Sequence, residues 1–564
     1  MKKAVFTLFL LAAQMLQAQV LYVNNTDGTY QAFDTKQVEE ITFNEEEQLI
    51  NILFPGNGSQ YITSRFYTGR IESIAPATDK ATELTYDLNP VVTFDETDKE
   101  SYNEITESIP TLETDPEYED FVENFSTTKV YTITYSETGV TVSNQNSDAT
   151  VSFTIEGTHL TINSARSKVA YILRGNCSNG SLKIYSEKRF RIIAQGITLT
   201  NPNGPAINIQ SGKEVYFSIG DNSVNTLCDG ATYSAPVIGS DGKEEDQKGT
   251  LFSEGQLIFD GYNKNTGVLN VCSHGGHAIC SDDYIRIRSG NINITAAAKD
   301  GFRTKDKFII GRSTDKAPVI KINATSNGIE CSEGELIIEA GELDITSGGE
   351  GIKVVYEDSI PDPAITPNAT IRGGYICINT TGEKSSALQS TGDYTQTGGI
   401  INARVNGNAS KIINCDGSVL FTGGKLTGIA SGTISADETS AGGIKCENNI
   451  NITGGVIAIE CSGRGSKGIN CNGDIVIDSG NITLLAQEEN YTEIADDKKS
   501  RAITCRNITI NNGAIVASAY DNAIAATDGI TINGGRVNAY SSSCAALSHY
   551  AAQTGGWLLT KEAE

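Results

Sequence analysis

A repeat of about 25 residues between Gly443 and Leu484 constrains the fold of this chain more than any other feature. Each of its two copies places a bulky aliphatic after a glycine, at Ile444 and Ile469, and a cysteine two positions later. Short alternations of aliphatic and polar residues follow, and glycine turns separate them. Alternation with period two indicates a strand with one buried face. The repeat therefore predicts stacked short strands, as in a solenoid, rather than an ordinary globular domain.

The repeat extends well beyond these two copies, because its aliphatic anchor recurs at spacings of roughly 21 to 36 residues. The longer spacings contain loop insertions. The anchors are Ile279, Phe302, Ile329, Ile352, Leu388, Ile413, Ile444, Ile469, Ile503 and Ile524. A propeller blade would need four strands in about 40 residues, which is more than this unit offers. We therefore expect an all-β fold, a parallel β-helix (solenoid) preceded by a small β module.

Changes in composition divide the chain into five predicted segments. They are a signal peptide at 1–18, a small N-terminal β module at 19–80, an acidic linker or N-terminal cap at 81–129, a parallel β-helix at 130–550 and a C-terminal tail at 551–564. The start resembles a secretory signal, since Lys2 and Lys3 precede an apolar run that is too short to span a bilayer. We expect a protein that is secreted or held at the cell surface.

Charge and cysteine placement limit the partners and the compartment. The formal net charge of −26 argues against nucleic acid, which needs a basic surface. The first of the twelve cysteines is Cys177, so we expect no lipoprotein, and the absence of a long apolar run argues against membrane insertion. Several cysteines follow an aliphatic anchor by two positions, which indicates a column of small buried thiols. Disulfides between repeats are the alternative.

Carboxylate and amide side chains occupy one recurring position of the repeat. Asp300, Asn327 and Glu350 each lie two residues before an anchor, so stacking would place them about 4.8 Å apart. Further acidic residues fall at the turn after an anchor: Asp282, Asp283 and Asp306. Oxygens this close favour a cation, and the set predicts a calcium site. The alternative is a solvated acidic turn whose side chains bind backbone amides.

Histidines and catalytic motifs are sparse, so they point to function only weakly. His274 and His277 could hold a metal, but the pair lacks further histidine or cysteine ligands at zinc spacing. Surface turn histidines are the simpler interpretation. The sequence contains no nucleophile elbow, zinc-protease motif or phosphate-binding loop.

From about residue 130 to 310 the chain resembles a known family, and later repeats extend the likeness. The motifs that carry it are FRIIAQGITLTNPNGPAINIQ, DNSVNTLCDG, GTLFSEGQLIFDG, HAICSDDYIRI and AAKDGFRTKD, in that order. They resemble the secreted carbohydrate-binding β-helix family, which is similar in fold to pectate lyases of polysaccharide-lyase family nine. The resemblance implies a right-handed helix, bound calcium and affinity for plant cell-wall polysaccharide, acidic pectin-like chains included.

The family's acidic pattern falls on four residues of this chain: Asp282, Asp283, Asp300 and Asp306. Later repeats depart from it, with Glu350, Gly442 and Lys467 in the position that Asp300 occupies. Further calcium sites in those repeats are therefore in doubt. Non-catalytic, calcium-assisted binding of a polysaccharide is the leading hypothesis, with Tyr284, Tyr375 and Tyr394 as stacking platforms. Buried aromatic residues are the alternative interpretation of these tyrosines.

Two other functions remain open. A calcium-dependent lyase acting by β-elimination would need a base, and Lys305 and Lys353 lie near the acidic positions. A lysine beside carboxylates is more commonly ion-paired, so we favour binding over catalysis. A cell-surface adhesin or structural spike is the second alternative.

Overall fold

The structure is a computed structural model, and it describes most of the chain. The described residues are 20–25, 30–34, 38–44, 48–55, 61–68, 71–77, 90–100, 109–115, 117–239, 242–311, 317–356, 365–494 and 496–561. The predicted signal peptide lies outside these residues. No helix in the described part is long and apolar enough to span a membrane.

The predicted all-β fold is confirmed, and strands pair mostly in parallel. Helical structure is sparse; the described residues include short 3₁₀ helices at Glu96–Glu100, Tyr118–Asp120 and Val122–Asn124. Contacts divide the chain into two compact units. The central unit comprises residues 94–426, and the second unit comprises 1–93 with 427–564.

Six strands lie among the described residues that precede residue 80. They are β1 Val20–Asn25, β2 Tyr30–Asp34, β3 Glu40–Asn44, β4 Leu49–Pro55, β5 Tyr61–Tyr67 and β6 Ile71–Ala77. Those that open the central unit are β7 Lys129–Ser136, β8 Gly139–Val142, β9 Val151–Glu156, β10 His159–Ser164, β11 Val169–Cys177, β12 Ser181–Ser186 and β13 Phe190–Asn201.

Shorter strands follow in a regular order through the central unit. They are β14 Ile207–Gln210, β15 Val215–Ile219, β16 Val224–Asp229, β17 Gly249–Ser253, β18 Leu257–Asp260, β19 Val268–Cys272, β20 His277–Ser281, β21 Ile285–Ile287, β22 Asn291–Ala297, β23 Phe302–Thr304, β24 Phe308–Ile310, β25 Val319–Ala324, β26 Ile329–Cys331, β27 Leu336–Ile338, β28 Glu342–Ser347, β29 Ile352–Val354, β30 Ala369–Ile371, β31 Tyr375–Thr380, β32 Leu388–Ser390, β33 Tyr394–Gln396, β34 Ile400–Val405, β35 Lys411–Cys415, β36 Val419–Phe421 and β37 Lys425–Ala430.

The remaining strands belong to the second unit. They are β38 Gly442–Cys446, β39 Ile450–Ile452, β40 Val456–Cys461, β41 Lys467–Cys471, β42 Ile475–Ile477, β43 Asn481–Ala486, β44 Arg501–Ile510, β45 Ala514–Ala519, β46 Ile524–Ile532, β47 Arg536–Ser541, β48 Leu547–Gln553 and β49 Trp557–Lys561. The strand β49 lies in the segment predicted as a C-terminal tail.

In the central unit each regular strand pairs in parallel with the strand three places later, which produces three ladders. Ladder A contains β14, β17, β20, β23, β26, β29, β32 and β35. Ladder B contains β15, β18, β21, β24, β27, β30, β33 and β36. Ladder C contains β16, β19, β22, β25, β28, β31 and β34.

The aliphatic anchors of the repeat align in ladder A, as their spacing predicts. In the central unit Ile279 is in register with Phe302, which is in register with Ile329, and the row continues through the next anchors. These side chains are buried, at 0% exposure for those three. Burying one such side chain is worth roughly 1.5–3 kcal/mol, so the column of anchors stabilises the stack.

A glycine with positive φ stands at the corner before four strands of ladder C: Gly290, Gly341, Gly374 and Gly399. Gly341 has a φ of 108°, which is left-handed, and an added Cβ would lie 2.9 Å from Pro318. A side chain there would be strained and would clash, since only glycine adopts this conformation freely. The glycine turns of the repeat therefore set where one ladder ends and the next begins.

The second unit combines parallel and antiparallel pairing. Its ladder D contains β40, β43, β45, β47 and β49 in parallel register. The strand β5 then pairs antiparallel with β49, and the Trp557 ring lies edge-on to Phe66 at 5.9 Å between centroids. An exposed strand edge invites aggregation. The antiparallel pairing with β5 covers this edge of β49.

The twelve cysteines are free thiols, and most are buried. Cys446 is in register with Cys471, and the Cys471 thiol donates to the Asn448 carbonyl at 3.1 Å. The hydrogen-bonded thiol of Cys446, together with burial, raises the pKa of Cys471 well above its ordinary value. These thiols therefore pack as small, largely apolar side chains.

Candidate functional site

The column of Asp300, Asn327 and Glu350 binds backbone amides. Asp300 Oδ1 accepts a hydrogen bond from the Asn327 amide at 2.9 Å, and Asn327 Oδ1 accepts one from the Glu350 amide at 3.0 Å. Asn327 also donates through Nδ2 to Glu330 Oε2 at 2.6 Å. Each of these two side-chain oxygens thus accepts a hydrogen bond from a backbone amide of the next repeat. This is the alternative interpretation of the acidic column, in which its side chains bind backbone amides.

Asp300 has a second partner in the histidine of the preceding repeat. His277 Nδ1 lies 3.0 Å from Asp300 Oδ2, and both side chains are buried. Burial opposes ionisation, but His277 and the Asn327 amide outweigh it and hold the pKa of Asp300 below its ordinary value. His274 lies elsewhere: its amide donates to Asp229 at 2.5 Å. The two histidines therefore serve separate contacts rather than one shared metal.

Asp282 belongs to a cluster of carboxylates that includes two residues which the sequence did not single out. Oxygens of Asp246, Glu254 and Asp282 lie within 4.8 Å of one another. Lys248 Nζ lies among them, 2.6 Å from Asp282 Oδ2 and 2.9 Å from Asp246 Oδ2. Burial and the neighbouring carboxylates raise the pKa of Glu254. Carboxylate oxygens of this kind are the ligands that calcium prefers. In this structure the Lys248 ammonium supplies the positive charge among them.

The predicted ligands Asp283 and Asp306 lie near each other and are not part of the cluster around Asp282. Asp283 Oδ2 accepts a hydrogen bond from Gln256 at 2.6 Å, and burial and Asp306 raise the pKa of Asp283. The structure thus does not gather the six predicted calcium ligands into one cluster. Within the described residues the close carboxylate cluster is that of Asp246, Glu254 and Asp282.

A groove of about 390 Å³ adjoins this carboxylate cluster. Its lining includes Tyr233, Asp246, Lys248 and Lys299. Buried Asp229 fixes one wall, because it accepts hydrogen bonds from the Tyr233 hydroxyl at 2.5 Å and from Ser273 at 2.6 Å. The groove brings hydroxyl, carboxylate and ammonium groups together at one surface.

Lys305 and Lys353, the predicted lyase bases, are both ion-paired. Lys305 Nζ lies 3.3 Å from Glu333 Oε2, and Lys353 Nζ lies 3.7 Å from Glu330 Oε2. A general base must be neutral to accept a proton, and a carboxylate neighbour favours the charged ammonium. Their surroundings suit structural ion pairs better than proton abstraction.

The three predicted stacking tyrosines have different environments. Tyr394 is 0% exposed and donates to Gln396 Oε1 at 2.7 Å, so its proposed role as a stacking platform is wrong. The Tyr284 hydroxyl donates to Asp120, and that contact covers it. Tyr375 is half-buried on ladder C, where its hydroxyl accepts a hydrogen bond from Asn402 at 3.1 Å. Tyr284 and Tyr375 are both half-buried, and of the two it is Tyr375 that lies on ladder C.

A polar row runs along the outer face of ladder C, and the sequence analysis missed it. Its members are in register across successive strands and alternate with the buried aliphatics: Asn270, Asn293, Lys321, Asp344, Cys377 and Asn402. The first five are exposed or half-buried, whereas Asn402 is buried. Asn293 donates to Asn270 Oδ1 at 3.0 Å. Each member lies between the two aliphatics of a strand signature, and that position was the signal available in the sequence. We call this set the polar row.

A second groove of about 390 Å³ lies on the polar row beside Tyr375. Its lining includes Lys99, Lys321, Glu342, Asp344 and Tyr375. Lys99, from the first 3₁₀ helix, lies 2.6 Å from Glu342 Oε2 and forms one edge. The groove combines an aromatic ring with hydrogen-bonding groups on the face of a parallel sheet, so it offers both stacking and polar contacts to a ligand.

A family model described as carbohydrate-binding domain-containing protein matches residues 147–486 and 429–545. The chain belongs to this family. The match takes in ladders A, B and C from β14 onward. It also includes the whole polar row and the carboxylate cluster.

The chain is also similar to a solved protein titled "Structure of the polysaccharide lyase-like protein from C. thermocellum, Gadolinium derivative". The identity is 20%, the similarity covers 51% of this chain and 95% of that chain, and the TM-score is 0.36. No curated protein matches this chain.

Proposed function

We propose that this protein binds a polysaccharide along the polar row of ladder C, without catalysis. The observation that carries the proposal is the polar row itself, which crosses six parallel strands, with five of its members at least partly exposed, in a member of a carbohydrate-binding family. Amides and carboxylates on this face can bind sugar hydroxyls, and Tyr375 can stack on a sugar ring. A glycan chain is extended, as the row is.

The proposal includes a finer description of the fold and of the compartment. Each set of three strands would form one turn of a right-handed parallel β-helix, as the repeat and the family resemblance suggest. Residues 1–18 would direct export as a signal peptide, so that the polar row meets glycans outside the cell or at its surface.

Calcium would assist binding at the carboxylate cluster of Asp246, Glu254 and Asp282. When bound there, the ion would supply a positive charge that can bridge protein carboxylates to an acidic glycan. That bridge would let a protein of net charge −26 take a pectin-like ligand. Lys248 would have to leave the cluster, so lysine and calcium compete in this proposal. The lyase alternative gains no support from the ion-paired Lys305 and Lys353.

The binding test is affinity electrophoresis against a panel of plant cell-wall polysaccharides, both neutral and acidic. We expect the wild-type protein to be retarded by at least one of them, and Tyr375→Ala to weaken that affinity by about tenfold, since the aromatic platform is lost. Tyr394→Phe is the control, because Tyr394 is in the core. Equal retardation of the wild type and Tyr375→Ala would place the ligand elsewhere.

The calcium test is a thermal melt with and without millimolar calcium. We expect calcium to raise the melting temperature of the wild type, and to raise that of Lys248→Met more, because the competing ammonium is gone. Asp282→Asn should abolish the response. A calcium response that persists in Asp282→Asn, or its absence in Lys248→Met, would contradict calcium binding at this cluster.

A further inference from the structure

An acidic segment lies across the face of ladder B. It runs from Glu117 to Phe125, contains two 3₁₀ helices and is anchored by Phe121, which is 0% exposed. We call residues 117–125 the acidic strap. Beneath it lie the side chains of Tyr284, Arg286 and Arg288. Arg286 is the middle residue of β21, and Tyr284 and Arg288 directly precede and follow that strand.

Arg286 is the centre of the contact. Its side chain is 0% exposed, and its guanidinium pairs with the Asp120 carboxylate and lies 3.5 Å from Glu117 Oε2. The hydroxyl of Tyr284 donates to the other oxygen of Asp120. One strap carboxylate is thus held by an arginine and a tyrosine together. A buried charge of this kind is costly unless a partner neutralises it.

Arg288 forms a second, matching contact. It is 3% exposed and pairs with both oxygens of Glu123, at 2.6 and 3.4 Å. Its guanidinium also lies 4.0 Å from the Phe121 ring centroid. The Nε atoms of Arg286 and Arg288 are buried and have no hydrogen-bond partner among the described residues. The strap therefore leaves part of the hydrogen-bonding capacity of both arginines unused.

The far end of the strap meets a third cation. Arg189 lies 2.8 Å from Glu119 Oε1, and Tyr216 donates to the Glu119 carbonyl while its ring packs 5.0 Å from Phe125. Beside them, burial raises the pKa of Glu214 to about 8, so this carboxyl is largely neutral at pH 7 and does not repel further anions. Three arginines and two tyrosines thus face one run of carboxylates.

We infer that the cradle of Arg189, Arg286, Arg288, Tyr216 and Tyr284 is a binding site for a linear carboxylate-bearing ligand, and that the acidic strap occupies it from within the chain. The inference rests on the proposed function for its ligand, an acidic glycan, and adds a second site on a different ladder from the polar row. Spaced carboxylates and aromatic contacts are what the strap offers, and a uronate chain offers spaced carboxylates and ring faces.

Because the strap belongs to the same chain, an outside ligand can bind the cradle only by displacing the strap. The strap is covalently linked, so its effective concentration at the cradle is in the millimolar range, and an outside ligand must compete with it. A polymer that engages all three arginines at once can do so, whereas a single sugar acid cannot. The net charge of −26 does not prevent this binding, because the cradle concentrates cations in one place.

The test is a titration of the full-length protein with oligogalacturonate, without added calcium, combined with hydrogen exchange of the strap amides. Glu117→Gln with Glu123→Gln weakens the strap but leaves Asp120 to neutralise buried Arg286, and the new amide at position 123 still offers Arg288 an oxygen. A thermal melt of each variant checks that the fold is kept. The matched control is Glu113→Gln with Glu156→Gln. These two side chains are exposed, and the variant has the same change in net charge. Arg288→Gln removes one side of the cradle.

We expect the strap variant to bind oligogalacturonate roughly tenfold more tightly than the wild type and the control. In the strap variant, saturating ligand should also speed hydrogen exchange at residues 117–125. Adding Arg288→Gln should reverse the gain. If ligand binds all three proteins equally, the strap inference is overturned while the proposed function stands. If the strap variant binds no oligogalacturonate, the inference is also overturned, and the polar row is then judged separately by Tyr375→Ala on the wider panel.

Discussion

Ladders C and D have the same repeat but different outer faces. In ladder C the position between the two aliphatics of each strand holds the polar row, with residues such as Asn293 and Lys321. The equivalent position in ladder D holds Ala458, Thr483, Val516 and Asn538, in register with one another. The buried pattern, which the fold requires, is common to both. In ladder D packing accounts for the less polar outer residues, because Val516 packs against the hydrophobic cluster that includes Leu21 and Phe66. In ladder C Lys321 and Asp344 are exposed, so their polar groups are available to a ligand.

The position two residues before the anchor shows a second contrast. In the central unit it holds Asp300 and Asn327, whose side-chain oxygens accept hydrogen bonds from backbone amides of the next repeat. In the second unit it holds Gly442, Lys467 and Arg501. The register is shared, but the chemistry changes along the chain, since later repeats hold Lys411, Lys467 and Arg501 at this position. Asp300 and Asn327 accept hydrogen bonds from backbone amides, whereas these later cations are half-buried.

The largest effect should come from Asp300→Ala. It leaves the buried His277 ring and the Asn327 amide without their partner, and we expect a loss of about 3 kcal/mol of unfolding free energy in urea. Asp300→Asn keeps an oxygen acceptor and should cost about 1 kcal/mol. Because the pKa of Asp300 is lowered in the folded state, its stabilisation should be lost as pH falls below about 4. If both variants lost the same unfolding free energy, the hydrogen bond from the Asn327 amide to Asp300 would not be the source of the stabilisation.

A smaller effect of opposite sign is expected for Lys467→Met. Burial, with Arg501 and Lys498, lowers the pKa of Lys467 to about 8, so the folded state disfavours the charged form. The unfolded chain then binds more protons between about pH 8 and 10.5, and wild-type stability should rise with pH across that window. At pH 7 the methionine variant should be more stable by about 1–3 kcal/mol.

Urea unfolding at pH 7 and pH 9.5 measures the Lys467→Met effect, and Lys445→Met is its control. Lys445 lies in the neighbouring strand and pairs with Glu447. We expect the control to change stability by less than about 0.5 kcal/mol. A Lys467→Met protein that is less stable than the wild type at pH 7 would contradict this prediction. It would mean that favourable interactions of the Lys467 ammonium outweigh the cost of its burial.

Much of the fold could be predicted because the repeat fixes the register. Anchors such as Ile279, Phe302 and Ile329 were identified from their spacing alone, and they stack as predicted. Periodicity shows which face of a strand is buried, and that buried face is what the parallel ladders have in common. The family followed from the order of several motifs, and the family model agrees with it.

The site was less predictable, because its contacts join residues that are distant in sequence. Asp282 was a predicted ligand, but its partners Asp246 and Lys248 lie in a loop with no repeat. Tyr394 and Tyr375 look alike in the sequence. Tyr394 is buried because it lies at an inward-facing position of its strand, whereas Tyr375 lies at an outward-facing position and is half-exposed. The contact between Asp120 and Arg286 spans 166 residues, and no local pattern predicts it.

Hydroxyl-radical footprinting tests the central claim, that the polar row of ladder C is the glycan-binding face. The protein would be labelled with and without a saturating amount of the polysaccharide that binds most tightly in the panel. We predict protection of Tyr375 and Cys377, and of the peptides covering residues 319–324 and 342–347, with no change at residues 456–461 and 514–519. Protection confined to the ladder D peptides, with Tyr375 and Cys377 unchanged, would contradict the account.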